Sequence, residues 1–161
     1  MNLPRVFRSA SRFQVVPKLA VPVGREAFAL GDRPDEIGNV PGHDLGQSGL
    51  CLMIVNNGLE PVTVAEVGVN GRFGRPRIVM REPVVVDGKP WPRRLRAGES
   101  VVAYFAAELK KHHLLGQMRR AFAASGDGLT WEGHSPALVW FTGRACAPAP
   151  AARSIRRSAR T

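Results

Sequence analysis

The chain has 161 residues, of which 44% are hydrophobic, and its formal net charge is +10. That hydrophobic content supports a packed core and excludes a wholly disordered chain, and the length suits one domain of ordinary size. The apolar runs fall short of the roughly 20 residues that a membrane-spanning helix needs, so we expect no transmembrane segment.

The net charge lies at the two ends of the chain. Residues 1–25 carry five basic side chains and no acidic one, and residues 134–161 carry another five basic side chains and no acidic one. Residues 26–133 hold 13 basic and 13 acidic residues and are formally neutral. A neutral module between two cationic arms predicts contacts with neighbouring subunits or with a negatively charged partner.

Residues 1–49 contain five prolines with glycines between them. This spacing prevents a long helix and allows only short strands. We therefore predict an extended, basic N-terminal arm over residues 1–49, in which the apolar stretch from Val15 to Val21 adds to a sheet as an edge strand. Pro17 and Lys18 interrupt that stretch, so we expect no secretory signal.

The pattern becomes that of β-structure from Leu50. An apolar run at 50–55 is followed by alternating residues at 61–69, and further strands are predicted at 77–80, 83–86, 100–105, 119–124 and 137–141. Four dipeptides that favour two-residue hairpin turns separate these runs, namely Asn57-Gly58, Asn70-Gly71, Asp87-Gly88 and Asp127-Gly128. The pattern predicts an antiparallel β-domain over residues 50–143.

Two segments do not fit the strand pattern. Residues 106–115 consist largely of helix formers and end at Gly116, so we predict one short helix there. Residues 144–161 alternate alanine with proline and then become basic, which predicts an extended tail that is disordered or ordered by a partner. We expect the core of the domain to contain Leu52, Ile54, Val62, Val64, Val85, Val102, Tyr104, Phe122 and Val139.

The sequence contains no pattern typical of catalysis or metal binding. His112 and His113 are adjacent and therefore point in different directions on either a helix or a strand. No Gly-x-Ser-x-Gly nucleophile motif occurs, and the Gly-rich loop at 71–75 lacks the following helix that would cradle a phosphate. We expect no metal, no cofactor, no catalytic residue and no small-molecule ligand, and we interpret the chain as not an enzyme.

The sequence also contains two cysteines and two internal basic clusters. Cys51 and Cys146 are too few for a disulfide framework, and Cys51 lies in an apolar run where we expect a core residue. One basic cluster comprises Arg72, Arg75, Arg77 and Arg81, and a second surrounds Trp91 and comprises Lys89, Arg93, Arg94 and Arg96. Trp91 either packs on the domain or anchors a partner. We expect Glu66, Glu82 and Glu99 to neutralise these arginines.

Several turn segments together resemble a known type of domain. They are Val55-Asn56-Asn57-Gly58, Pro61-Val62-Thr63-Val64, Leu95–Ser100, Ala121-Phe122-Ala123 and Asp127–Trp131. Over residues 50–142 the chain is similar to the small immunoglobulin-like β-sandwich domains of bacterial and bacteriophage proteins. The resemblance implies an interaction or assembly module, sometimes part of a virion, with no catalytic residues. The paired cysteines and central tryptophan of antibody domains are absent as a set.

These observations predict an all-β, immunoglobulin-like antiparallel β-sandwich with extended arms. The leading hypothesis is a non-enzymatic structural protein of a larger assembly, such as a phage or phage-derived particle, located in the virion or the cytoplasm. The alternatives are a non-specific nucleic-acid-binding protein that uses the arms, and a peripheral membrane or periplasmic module, which the missing export signal disfavours. The candidate partner-contacting residues are Arg5, Arg8, Arg12, Arg153, Arg156, Arg157 and Arg160.

Overall fold

The computed structural model describes residues 13–24 and 27–145, without the side chains of residues 108, 144 and 145. These residues form two antiparallel sheets around one core, so the expected all-β sandwich is confirmed. The first sheet contains, in spatial order, β2 (Ala27–Gly31), β1 (Phe13–Val23), β3 (Gly49–Asn56), β8 (Ser100–Phe105) and β6 (Val84–Val85).

The second sheet is built around β4 (Val62–Gly71). On one side of β4 lies β9 (Met118–Ser125), followed by β10 (Thr130–Gly133); on the other side, β5 (Arg77–Met80) and β7 (Arg93–Leu95) pair with different parts of β4. Two α-helices, α1 (Pro34–Ile37) and α2 (Pro136–Ala145), accompany the sheets. Short 3₁₀ helices occupy Leu45–Gln47, Ala107–Lys111 and Leu115–Gln117, and Arg72–Gly74 forms a tight turn in which Phe73 has a left-handed backbone conformation.

The N-terminal segment is an integral part of the sandwich from residue 13 onward. Strand β1 pairs with β2 on one side and with β3 on the other, so the predicted edge position is wrong. Alternate side chains of β1, including Phe13, Val15 and Leu19, are buried. Each buried apolar side chain contributes about 1.5–3 kcal/mol, which exceeds the roughly 1 kcal/mol lost with a proline's missing hydrogen bond. The sandwich therefore begins well before the predicted boundary at residue 50.

The C-terminal apolar run at 137–141 is helical, so the strand predicted there is wrong. Ser135 precedes α2, and its hydroxyl accepts a hydrogen bond from the Leu138 N–H at 3.3 Å, as an N-cap does. The same hydroxyl donates to the Pro17 carbonyl oxygen at 2.7 Å and so ties the helix to β1. Leu138 and Phe141 are buried against the sheets, whereas Val139, predicted as a core residue, is 55% exposed on the opposite face.

The remaining core predictions hold to different degrees. Leu52, Ile54 and Val64 are fully buried in the core, and Val62 and Val85 pack against it. Phe122 is fully buried but on the outer face of the second sheet, and Val102 and Tyr104 are partly buried on the outer face of the first, because they alternate with the core residues of β8. The helical segment predicted at 106–115 is present as the two 3₁₀ helices at Ala107–Lys111 and Leu115–Gln117. Both pack against α2, so this end of the sandwich is closed by helical turns.

Candidate functional site

The outer face of the second sheet carries a row of polar side chains near the end of β4. Val67 and Val69 of β4 are buried in the core, so the alternating residue Asn70 lies on the opposite face. In the strand register, Asn70 is opposite Arg77 on β5 and opposite Arg120 on β9. Strands β5, β4 and β9 thus place one arginine on each side of Asn70.

A hydrogen-bonded network connects Arg120 to Asn70 through Glu132. The Asn70 amide nitrogen donates to Glu132 Oε1 at 2.7 Å, and Arg120 donates to Glu132 Oε2 at 3.2 Å. Asn70 is only 3% exposed, and its Oδ1 atom is buried without a hydrogen-bond partner among the described residues. The Glu132 carboxylate therefore bridges the buried Asn70 amide and Arg120, whose side chain is 61% exposed.

The loop between β4 and β5 presents an aromatic side chain next to this network. Phe73 is 95% exposed and has a φ of 59°, a left-handed backbone conformation that bulky residues rarely adopt. The loop folds closely onto Gly71, where a Cβ atom would lie 2.5 Å from the Arg75 carbonyl oxygen. The Gly71 N–H donates to the Pro76 carbonyl oxygen at 2.7 Å, so the loop is closed at its base and Phe73 stands at its tip.

These elements enclose an open cleft of about 630 Å³. The residues that matter for its chemistry are Arg72, Phe73, Arg119, Arg120, Glu132 and His134. The Arg119 guanidinium donates to the carbonyl oxygens of Gly116 at 2.7 Å and Met118 at 2.8 Å, and the Arg72 guanidinium lies 5.6 Å from the centre of the Phe73 ring. Within the described part of the chain, Arg72 and Arg119 form no ion pair, so the cleft has a positive charge surplus.

A second cationic cluster lies beside the other end of β4. Lys89, Arg93, Arg94 and Arg96 line an open hollow of about 600 Å³ together with Pro61 and Glu99. Arg93 pairs with Asp87 at 3.1 Å, and the Glu99 carboxylate accepts from the Arg96 backbone N–H at 2.8 Å. Because Arg94 is opposite Thr63 and Arg120 is opposite Asn70, the two clusters are separated by about 23 Å along β4.

The middle of the same face is covered by an arginine stacked on an aromatic ring. The Arg77 guanidinium lies 3.8 Å from the centre of the Phe122 ring and 3.5 Å from the Glu66 carboxylate. The expected neutralisation by acids is thus confirmed for Glu66. The Trp91 indole N–H donates to the Ala65 carbonyl oxygen at 3.0 Å and its ring packs against the core, so the structure favours packing over the anchoring alternative.

The seven terminal arginines predicted to contact a partner, Arg5, Arg8, Arg12, Arg153, Arg156, Arg157 and Arg160, all lie outside the described residues. The sequence shows the second cluster and Arg72, with an expected neutralisation by Glu66, Glu82 and Glu99, but it does not show that Arg119 and Arg120 lie beside Arg72. Residues 26–133 are neutral only as a sum, because their charge is divided unevenly between two parts. Residues 26–66 contain seven acidic and one basic residue, whereas residues 67–133 contain 12 basic and six acidic residues.

Cys51 behaves as the sequence predicts for a core residue. It is fully buried in β3, and burial raises the pKa of its thiol to about 12. The described residues include no group of three or more potential metal-ligating side chains close enough to share an ion. None of the helices in the described ranges combines the length and hydropathy that crossing a membrane requires.

Comparison with protein-family models, with curated proteins and with solved structures finds no match to this chain.

Proposed function

We propose that the protein is a non-enzymatic structural component of a larger assembly, in which its cationic parts contact acidic surfaces of neighbouring subunits. The observation that carries this proposal is the segregation of charge within one chain. Residues 26–66 have a formal charge of −6, from seven acidic residues and one basic residue, while residues 67–133 and both termini are cationic. Complementary charges on different parts of identical chains favour contact between copies.

The acidic side of such a contact is the connection between β2 and β3. Its acidic residues are Asp32, Asp35, Glu36 and Asp44, of which Asp32 pairs with Lys18 at 3.0 Å. Asp35 and Glu36 stand on the exposed surface of α1 and form no ion pair within the described ranges. We infer that the terminal arginines, beginning with Arg5, Arg8 and Arg12, reach this acidic connection on an adjacent copy.

The setting that we propose is a bacteriophage or phage-derived particle, or its assembly in the cytoplasm. The support is the resemblance of residues 50–142 to immunoglobulin-like domains of bacterial and bacteriophage proteins. Two antiparallel sheets around one core are compatible with that resemblance.

Size-exclusion chromatography with light scattering tests the proposal on the full chain. We expect species larger than the 17.5 kDa monomer at low salt, and dissociation as the salt concentration rises. Replacing Arg5, Arg8 and Arg12 together by glutamine should weaken self-association at least tenfold. A control that removes the same charge from exposed sites of the folded part, Arg81, Arg94 and Arg96, should have a smaller effect. A monomer under all conditions, or equal effects of both triple variants, contradicts the proposal.

The alternative function, non-specific nucleic-acid binding through the arms, is favoured by the cationic surplus of residues 67–133, which adds to the charge of the termini. If all seven candidate arginines of the termini contact phosphates, the logarithm of the affinity for duplex DNA should fall with the logarithm of salt with a slope of about −6. Gel-shift titration of the full chain over a series of salt concentrations measures this slope. A slope near zero contradicts the alternative.

A further inference from the structure

We propose that the cleft formed by Arg72, Phe73, Arg119 and Arg120 is a binding site for single-stranded nucleic acid, separate from the terminal arginines. The site lies entirely within the described part of the chain, at the end of the second sheet, and its walls come from three places. The β4–β5 loop supplies Arg72 and Phe73, the start of β9 supplies Arg119 and Arg120, and the segment from the end of β10 supplies Glu132 and His134.

The exposure of Phe73 is the first feature that points to the ligand. A phenylalanine that is 95% exposed and has a positive φ carries two costs, because its ring stays in water and its backbone conformation is strained. The Gly71–Pro76 closure holds this conformation in place. A flat apolar ring that the loop projects into solvent is suited to stacking against another flat ring.

The second feature that points to the ligand is the positive charge around the Phe73 ring. Arg72 is adjacent to Phe73, with its guanidinium carbon 5.6 Å from the ring centre, and Arg119 and Arg120 lie across the cleft. Arginine binds phosphate with two parallel hydrogen bonds. The Arg119 guanidinium is oriented by two backbone carbonyl oxygens, whereas Arg120 is paired with Glu132, so Arg72 and Arg119 carry the positive charge surplus. The site therefore combines a stacking surface with cationic phosphate donors, the two elements of sequence-tolerant single-strand binding.

The exposed ring and the arginines together distinguish between classes of ligand. An acidic protein surface would pair with the arginines but would leave Phe73 without a flat partner. A DNA duplex would satisfy the arginines, but its bases are stacked on one another and are not available to an exposed ring. A single strand offers an unstacked base and a phosphate in every nucleotide, which matches an aromatic ring beside arginines.

The outer face of the second sheet extends this site. The Arg77 guanidinium stacks on Phe122 and lies 3.5 Å from the Glu66 carboxylate, and so extends from the level of the cleft towards the second cationic cluster. That cluster includes Arg94 and Arg96, about 23 Å from the cleft along β4. A single-stranded nucleic acid that stacks one base on Phe73 and continues over Arg77 reaches this second cluster. The expected site size is therefore several nucleotides, within the range of roughly 4–16 that single-strand-binding β-domains cover.

Fluorescence anisotropy with the full chain and a labelled oligothymidylate of about 12 nucleotides tests the proposal. We expect tighter binding to this strand than to a duplex of equal length at the same salt concentration. Replacing Phe73 by alanine should weaken binding by about 5- to 150-fold, the effect of losing one stacked base. Leu59→Ala is the matched control, because Leu59 is also an exposed apolar loop residue, at 83% exposure, and does not line the cleft; it should change affinity less than twofold.

The phosphate contacts have a separate readout. Arg72→Gln should lower the salt slope of binding by about 0.7, the value for one phosphate of a single strand, while Arg33→Gln, which removes an exposed charge from the acidic connection, should leave the slope unchanged. Thermal melting confirms that each variant is folded. No measurable binding, equal affinity of the Phe73 and Leu59 variants, or tighter binding to the duplex overturns the proposal. Equal competition by polyglutamate also overturns it and points to an acidic protein instead.

Discussion

Asn56 is the residue whose replacement most directly tests how the two sheets are joined. It ends β3 in the first sheet and is fully buried. Its side-chain amide donates to the carbonyl oxygens of Glu60 at 2.8 Å and Leu95 at 3.1 Å, and its Oδ1 atom accepts from the Gly58 N–H at 2.9 Å. One side chain thus ties the end of β3 to the connection that enters the second sheet and to β7.

We predict that Asn56→Ala lowers the free energy of unfolding by about 3 kcal/mol. The Leu95 carbonyl oxygen faces the buried part of the amide, and an unpaired buried group costs about 1–3 kcal/mol. The bonds to Glu60 and Gly58 are only partly buried, so water replaces them and each loss costs about 0.5–1 kcal/mol. For a chain of this length, the sum corresponds to a fall in Tm of about 6–12 °C.

Urea denaturation followed by circular dichroism and tryptophan fluorescence measures the effect. The midpoint should fall while the slope of the transition stays constant, because the native sandwich remains compact. Asn57→Ala is the control: Asn57 donates to Gln14 at 3.1 Å on the exposed surface, and its loss should cost less than about 0.5 kcal/mol. A change below about 1 kcal/mol for Asn56→Ala, or equal changes for both variants, refutes this reasoning.

Two further predictions concern the interior. Burial raises the pKa of Cys51 from 9.0 to about 12, so the contribution of this thiol to stability is complete below pH 9 and is lost as the pH rises towards 12. In a Cys146→Ser background, a thiol reagent at pH 8 should therefore react with Cys51 only after unfolding in urea. Reaction of the native protein would contradict this prediction. Gly133→Ala should destabilise the fold by more than about 2 kcal/mol, because its Cβ atom would overlap the Val15 carbonyl oxygen, whereas Gly126→Ala, with open space around it, should be neutral in the same urea titration. Equal midpoints for the two alanine variants would show that β10 and β1 separate without cost.

The turn dipeptides illustrate what local sequence can predict about this fold. Asp127-Gly128 joins β9 to β10, which pair in one sheet, as a hairpin turn should. Asn57-Gly58 and Asp87-Gly88 instead connect strands that belong to different sheets. Such a dipeptide indicates only approximately where the chain reverses, because Asn70-Gly71 lies within β4 and the reversal follows it, with positive φ at Phe73 and Gly74. It does not determine which sheet the next strand joins, because that depends on burial of apolar faces far apart in the sequence.

The run at 137–141 shows a second limit of sequence patterns. Five consecutive residues dominated by apolar side chains fit a buried strand and a buried helix equally well, because so short a run shows no clear period. The deciding signal precedes the run: Ser135 is an N-cap residue and Pro136 occupies the first turn, where its missing N–H costs nothing. Reading those two residues with the run would have predicted α2.

The candidate site was visible in the sequence only in parts. In the sequence, the segment 71–75 is a Gly-rich loop without a following helix, and a charge sum over residues 26–133 conceals the basic surplus of residues 67–133. Pairing of β4 with both β5 and β9 brings Arg77 and Arg120 to either side of Asn70, and these residues are up to 50 positions apart in the chain. Charge patterning along a sequence cannot show such a cluster until strand pairing is known.

Different residues carry the stability of the sandwich and the chemistry of the cleft. Asn56 and Gly133 are enclosed by other parts of the chain, so replacing them changes the free energy of unfolding. The Phe73 side chain is almost fully exposed, so replacing it by alanine removes a ring from solvent and opens no cavity in the core. Any loss of binding in the Phe73→Ala variant therefore reports on the ligand contact itself. For that reason, the single-strand proposal can fail even if every stability prediction is confirmed.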